Sequence, residues 1–105
     1  MDCLFCQIAN KEVPAEIIYQ DDKILAIKDI KPKAPVHLLI IPKKHIPSVD
    51  YLKTPDKALM GELILVAQKI AKDKKLKGYK LQINVGRSAG QIINHLHLHL
   101  LSGKF

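Results

Sequence analysis

Tryptophan is absent from this sequence, arginine occurs once, at Arg87, and cysteine occurs twice, at Cys3 and Cys6. No apolar run approaches the ~20 residues that a membrane-spanning helix needs, and the first residues lack the charged start and apolar core of a signal peptide. We therefore expect a soluble, cytoplasmic protein with no membrane partner. In that compartment the two cysteines stay reduced, as thiols or metal ligands.

The net charge of +7 comes from 17 basic and 10 acidic residues. Such a balance suits an anionic ligand, nucleic acid or a lysine-rich solvated surface. Proteins that bind nucleic acid usually add arginine and aromatic residues, which are scarce here, so nucleic acid is not the expected partner. Much of the charge lies at the predicted end of a helix, where it complements the helix dipole: Lys72, Lys74, Lys75 and Lys77.

The 105 residues, 48% of them hydrophobic, suit a single domain over residues 1–105. The apolar spacing predicts a short amino-terminal helix over 4–9, strands over 16–20, 23–28, 37–41, 79–85 and 95–101, and one long helix. Thr54 is predicted to cap the long helix, Pro55 to begin it and Gly78 to end it. Hairpins without βαβ alternation indicate the α+β class, with a five-stranded, mostly antiparallel sheet.

Three of the five histidines alternate with leucine near the end of the chain, at His95, His97 and His99. In a strand, this spacing places the imidazoles on one face and the leucines on the other. A surface metal-binding tract is the plainer alternative, but such tracts do not alternate with leucine. A neutral imidazole is a competent nucleophile near pH 7, because its reference pKa of about 6.5 leaves a free lone pair. We therefore expect a half-buried strand that carries a reaction.

Cys3 and Cys6 form a Cys-x-x-Cys pair, which by itself is compatible with zinc, with redox chemistry or with idle thiols. A thioredoxin-like role is poorly supported, because no βαβ pattern surrounds the pair. Two further ligands would be needed to decide for zinc.

The last part of the sequence resembles the motif of the histidine-triad (HIT) family, His-x-His-x-His followed by two apolar positions, in the run Gly90-Gln91-Ile92-Ile93-Asn94-His95-Leu96-His97-Leu98-His99-Leu100-Leu101. Other segments resemble, in order and spacing, the purine-nucleotide-binding branch of that family: Asp21-Asp22, Asp29-Ile30, Ala34-Pro35-Val36-His37, Ile41-Pro42-Lys43-Lys44-His45 and Asn84. The resemblance covers nearly the whole chain. It implies a HIT-like fold, a homodimer, and hydrolysis at the α-phosphate of a bound purine nucleotide.

The resemblance also implies roles for individual residues. His97 matches the family's nucleophile, which would form a covalent nucleotidyl-histidine that water then hydrolyses. His99 is placed to hold a phosphate oxygen, Asn84 to donate a further hydrogen bond, and Gln91 is expected beside the nucleotide. Asp29 matches the ribose-binding position, with a turn-capping aspartate as its alternative. Apolar positions around the base, each of which could also be plain core, are matched by Leu4, Phe5, Ile8, Val13, Ile27 and Ile30.

The same resemblance supplies two more metal ligands. Members that carry the cysteine pair look like binders of tetrahedral zinc, through positions that match Cys3, Cys6, His45 and His95. Four nitrogen and sulfur ligands make a closed structural site, which would orient the histidine strand without taking part in the reaction. We expect one zinc per subunit and no organic cofactor. His37 opens a strand beside the site, and its plainest interpretation is a structural histidine.

Together these features favour a purine nucleoside phosphoramidate or nucleotidyl hydrolase that releases AMP. Ile92 stands where the family usually has Ser or Thr, which favours a second hypothesis, a nucleotide-binding regulatory module with vestigial catalysis. Hydrolysis of dinucleoside polyphosphates is a third hypothesis.

Overall fold

An antiparallel sheet is the centre of the fold in this computed structural model, which describes residues 3–103. The strands are β1 (Ile17–Gln20), β2 (Ile24–Lys28), β3 (Val36–Pro42), β4 (Lys80–Gln82) and β5 (Leu98–Ser102), and the helices are α1 (Leu4–Ala9) and α2 (Lys57–Asp73). The strand order is β1-β2-β3-β5-β4, and each neighbouring pair is antiparallel. The expected α+β architecture, with five strands, one long helix and a short amino-terminal helix, is confirmed.

The two helices cover opposite faces of the sheet. Ile24 and Ala26 of β2 pack in one cluster with Leu63 of α2, whereas Leu25 and Ile27 pack in another with Phe5 of α1. This alternation follows from the period of two in a strand. Because both faces of β2 and β3 are covered, those strands read as continuous apolar runs.

The histidine strand is shorter than predicted. Leu96 and Leu98 face α2 as expected, but the strand begins at Leu98, so that His95 and His97 precede it. The Leu96 N–H donates to the Ile46 carbonyl at 2.7 Å, in the segment after β3, instead of joining the ladder. The pairing of β3 with β5 therefore ends at the Ile40–Leu98 pair.

The long helix starts and ends differently from the prediction. Thr54 does not cap it; the Asp56 carboxylate accepts the Lys53 N–H at 2.9 Å and the Lys44 ammonium at 2.6 Å. The helix ends at Asp73, before Gly78, because Lys75 adopts a left-handed conformation with φ of 57°. The Leu76 N–H then donates to the Ala71 carbonyl at 2.9 Å, which closes the helix in a Schellman motif.

Strand β4 is also shorter than the predicted segment 79–85. It lies at the edge of the sheet and pairs only through Lys80, Leu81 and Gln82. Over residues 3–103, no helix combines the length and apolar character required to cross a bilayer.

Candidate functional site

A cavity of about 440 Å³ opens on the α1 face of the sheet. Apolar side chains of α1, β2 and β3 form one part of its wall, and the imidazoles of His97 and His99 form another. The cavity is lined by ten of the eleven residues that the sequence predicted around the nucleotide, all except Gln91: Leu4, Phe5, Ile8, Val13, Ile27, Asp29, Ile30, Asn84, His97 and His99.

The protonation of His97 is set by its backbone contact. Its Nδ1 lies 2.7 Å from the His95 carbonyl oxygen. Because a carbonyl oxygen only accepts, Nδ1 carries the proton and donates, which leaves the lone pair on Nε2. Burial lowers the pKa of His97, and the side chain is only 8% exposed, so the ring is neutral at pH 7. The edge of Phe5 packs against it, with ring centroids 5.1 Å apart.

His99 takes its orientation from His37. The Lys33 N–H donates to His37 Nδ1 at 3.0 Å, so the proton of His37 sits on Nε2. That Nε2–H donates to His99 Nδ1 at 2.9 Å, with the Asp29 carboxylate 3.4 Å away. His99 therefore carries its own proton on Nε2. Burial, together with the nearby His97, His37 and Lys33, lowers the pKa of His99 to about 4.

Asp29, His37 and His99 also have the atoms of a metal site, within 4.8 Å of one another. A metal on His37 Nε2 would require the proton of the ring to move to Nδ1. Nδ1 already accepts the Lys33 N–H and has no lone pair left for a proton. The three side chains therefore form a hydrogen-bond chain that ends at the cavity.

Asn84 and Gln91 have different surroundings. Asn84 lines the cavity, but its amide donates to the Ala89 carbonyl at 2.8 Å and accepts from Gln82 at 2.9 Å. Gln91 is buried outside the lining. Its amide oxygen accepts the Gly86 N–H, and its amide nitrogen donates to the carbonyls of Pro47 and Ile93. The structure thus places Gln91 as a support for the loop before β5.

A second cluster brings together Cys3, Cys6, His45 and His95, whose ligand atoms all lie within 4.8 Å of one another. The Nδ1 of His95 lies 3.2 Å from the Cys3 sulfur, 3.6 Å from the Cys6 sulfur and 3.1 Å from His45 Nδ1. Tetrahedral zinc with bonds of about 2.0–2.3 Å separates its ligands by roughly 3.3–3.8 Å, so the four residues fit such an ion.

The protons at this cluster also suit a metal. His95 Nε2 donates to the Pro42 carbonyl at 2.7 Å, which leaves the lone pair on Nδ1. Burial and the neighbouring Cys3 raise the pKa of Cys6 to about 11, so the thiol is protonated at pH 7. A bound cation would stabilise the thiolate form. These four residues are thus positioned to bind a metal ion.

Comparison with known proteins agrees with this geometry. A family profile described as "Scavenger mRNA decapping enzyme C-term binding" matches residues 2–105. A HIT-like protein of Synechocystis sp. is 45% identical over 104 residues, which are 98% of this chain and 91% of the relative. The chain belongs to the histidine-triad family.

Solved structures of HIT proteins show the same fold. A HIT family hydrolase of Legionella pneumophila superposes with a TM-score of 0.96 at 45% identity, covering 99% of this chain and 95% of its own. A HIT family hydrolase from Clostridium thermocellum gives a TM-score of 0.95 at 45% identity, covering 98% and 91%.

Within this HIT domain, the lining of the cavity includes polar residues to which the sequence assigned no role there. They are His37, whose plainest interpretation was a structural histidine, and the two lysines Lys31 and Lys33. The available signal for the lysines was their position on either side of Pro32, two and four residues after Asp29. Ile92, at the position where a hydroxyl is usual in the family, lies on the rim and is 79% exposed.

Proposed function

We propose that this HIT protein hydrolyses purine nucleoside phosphoramidates at the α-phosphate, through a covalent nucleotidyl intermediate on His97, and releases AMP. The observation that carries the proposal is the bond from His97 Nδ1 to the His95 carbonyl, which leaves Nε2 with a free lone pair on a side chain that lines the cavity. The HIT family hydrolases among the structural neighbours support hydrolysis as the general activity.

The lining of the cavity suggests how the nucleotide binds. The apolar wall formed by Phe5, Ile8 and Ile27 suits a flat purine base. One oxygen of the Asp29 carboxylate accepts the Lys31 N–H at 2.8 Å and the other lies 3.4 Å from His37 Nε2, and each oxygen keeps a further lone pair that can accept from the ribose hydroxyls. In this arrangement the α-phosphate lies beside the imidazoles of His97 and His99.

The reaction proceeds in two displacements. His97 Nε2 attacks the phosphorus, and the P–N bond of the substrate breaks; the amine leaves with the bonding electrons and takes up a proton from water. Water then attacks the phosphorus, the bond to Nε2 breaks with its electrons returning to the ring, and the released proton goes to solvent. Splitting one difficult step into two is the advantage of a covalent intermediate.

Two side chains assist this reaction at the phosphate. His99 donates its Nε2–H to a phosphate oxygen, and His37 keeps the proton in that position. Asn84 has one amide hydrogen beyond its bond to Ala89 and donates it to the same phosphate. Preorganised donors of this kind stabilise the charge that develops in the transition state.

Zinc is the metal we propose for the cluster of Cys3, Cys6, His45 and His95, because two thiolates and two imidazoles are the ligand set of closed structural zinc sites. These four residues would hold the ion as a closed structural site, which would keep the thiolates deprotonated and would fix the segment before His97. Reduced thiols are consistent with a cytoplasmic protein.

We also propose a homodimer. Strand β4 is one of the two edges of the sheet, and an edge strand is a position where a second copy can add a strand. Leu81 and Tyr79 at this edge, and Ile64 and Leu65 on α2, are large apolar side chains that remain partly exposed. Their burial in a symmetric interface would stabilise the small domain.

The test replaces His97 with Ala and measures AMP release from adenosine 5′-phosphoramidate. We expect turnover to fall by at least ~10³-fold, since the residual rate after loss of a nucleophile comes from binding and electrostatics alone. AMP binding, measured by calorimetry, stays detectable in the variant and controls for folding. Wild-type turnover in the His97→Ala protein would refute the assignment.

Ile92 favours one competing function, a nucleotide-binding regulatory module, because its side chain supplies no hydroxyl at the rim. Tight AMP binding by the wild type, with hydrolysis no faster than that of His97→Ala, would select this function. Faster turnover of diadenosine tetraphosphate than of the phosphoramidate would select the dinucleoside polyphosphate hydrolase instead.

A further inference from the structure

Two isoleucines at the mouth of the cavity are the most exposed large apolar side chains among residues 3–103. Ile30 is 89% exposed and Ile92 is 79% exposed, and both line the cavity. A single exposed isoleucine is ordinary on a protein surface, but here the two most exposed large apolar side chains line the same cavity.

The isoleucines come from two separate loops that meet the imidazoles. Ile30 follows Asp29, whose carboxylate lies 3.4 Å from His37. Ile92 lies between Gly90, which packs beside the Asn84 amide, and Ile93, which packs against the α1 cluster. Because the Asn84 amide is a proposed phosphate donor, the segment 90–93 borders the proposed position of the phosphate, and Ile92 is its exposed apolar side chain. In the proposed binding mode, a group on the phosphorus that is directed towards solvent passes Ile92.

The charge of the lining limits what that group can be. Four charged side chains line the cavity, but Lys28 pairs with Glu16 at 3.0 Å. On the lysine and carboxylate side chains of the lining, Lys31, Lys33 and Asp29 then leave one net positive charge. One positive charge matches the single negative charge of an α-phosphate that bears an uncharged substituent. A polyphosphate chain would bring several negative charges to the same opening.

We propose that the group this enzyme removes from the phosphorus is uncharged and apolar, and that Ile92 selects it. This inference rests on the proposed hydrolysis at the α-phosphate. An apolar amine covers the exposed face of Ile92 and removes both surfaces from water, whereas a polar or charged group would lose hydration against the same side chain.

The experiment compares three substrates: the adenosine 5′-phosphoramidates of 2-phenylethylamine and 2-methoxyethylamine, and diadenosine tetraphosphate. We expect wild-type kcat/KM to favour the phenylethyl compound over the methoxyethyl compound by about tenfold, which corresponds to ~1.4 kcal/mol. Diadenosine tetraphosphate should be the poorest of the three.

Two substitutions of similar shape assign the preference to Ile92. Ile92→Thr replaces the ethyl group of the side chain with a hydroxyl. It should reduce the preference for the phenylethyl compound to about threefold or less, mainly through a higher KM for that compound. Ile92→Val keeps the apolar surface and should retain the preference. Tyr51→Ser removes an exposed apolar side chain outside the cavity, and the preference should again persist.

The possible outcomes separate the two levels of the proposal. Equal kcat/KM for the two amidates, or an unchanged ratio in Ile92→Thr, would overturn the role of Ile92 while leaving hydrolysis at the α-phosphate in place. A preference for diadenosine tetraphosphate would overturn both levels, because it selects the dinucleoside polyphosphate hydrolase. A wild type that turns over none of the three compounds would overturn the proposed function, and this inference with it.

Discussion

At the scale of single residues, the positions of the protons on three imidazoles follow from partners that can only donate or only accept. The Lys33 N–H places the proton of His37 on Nε2, and His37 in turn places the proton of His99 on Nε2. The His95 carbonyl places the proton of His97 on Nδ1. One consequence is that the two histidines of the hydrogen-bond chain must stay neutral in the folded protein. Burial lowers the pKa of both His37 and His99.

Folding stability should therefore fall on mild acidification. The pKa of His99 drops from 6.5 in the unfolded chain to about 4 in the folded protein, so between these values only the unfolded chain binds the proton. The free energy of unfolding should be at its full value above pH 6.5 and decrease as the pH falls towards 4. Urea unfolding at pH 7, 6 and 5 measures this slope, and His99→Gln should make it shallower. An identical slope in both proteins would contradict the assignment to His99, which faces His97, His37, Asp29 and Lys33.

These residue roles differ in how far the sequence could predict them. His97 and His99 belong to the motif and Asp29 to a second matching segment, and all three line the cavity, while their roles at a nucleotide stay predictions. The partnership of His37 with His99 joins residues 62 positions apart, and only the pairing of β3 with β5 brings them together. Gln91 belongs to the motif, yet its amide is bonded to three backbone groups, and one of them, the Pro47 carbonyl, lies 44 positions away, which no local pattern encodes.

At the scale of elements, the existence and type of the two α-helices and the five strands followed from apolar spacing, whereas their ends did not. Strand β5 starts late because Leu96 finds a backbone partner in the segment after β3. Helix α2 stops early although no glycine is present at its end, because Lys75 takes the left-handed position itself. Each boundary thus depends on contacts or strain that lie outside the periodic pattern.

Replacing Lys75 with Gly should stabilise the protein. A left-handed backbone costs a non-glycine residue about 1 kcal/mol, and the φ of 57° at Lys75 is compatible with glycine. We expect the melting temperature to rise by a few degrees, given ~4–8 °C per kcal/mol for a domain of this size. Lys77→Gly, at a position without positive φ, is the control and should lower stability or leave it unchanged. Equal melting temperatures for wild type and Lys75→Gly would show that the left-handed turn carries no strain.

At the scale of the whole molecule, helix α1 belongs to both the metal cluster and the cavity. Cys3 caps the helix, its sulfur accepting the Cys6 N–H at 3.4 Å, and Cys6 lies within the helix. Leu4 and Phe5, which lie between the two cysteines in the sequence, line the cavity, and so does Ile8 in the next turn. The Phe5 ring contacts both His95 of the cluster and His97 of the site, with centroids 5.8 and 5.1 Å away. Six helical residues cannot hold this position alone, since so short a helix is unstable without tertiary contacts.

Metal removal should therefore weaken nucleotide binding without touching any residue at the phosphate. After treatment with a zinc chelator and elemental analysis to show that the metal is gone, we expect the Kd for AMP, measured by calorimetry, to rise by about tenfold. Amides of α1 should at the same time lose protection in hydrogen exchange while those of α2 keep it, which distinguishes local release of α1 from global unfolding. Addition of zinc should restore both, except in a Cys3→Ser, Cys6→Ser variant. An unchanged Kd in metal-free protein would mean that packing against β2 and β3 alone keeps α1 over the cavity.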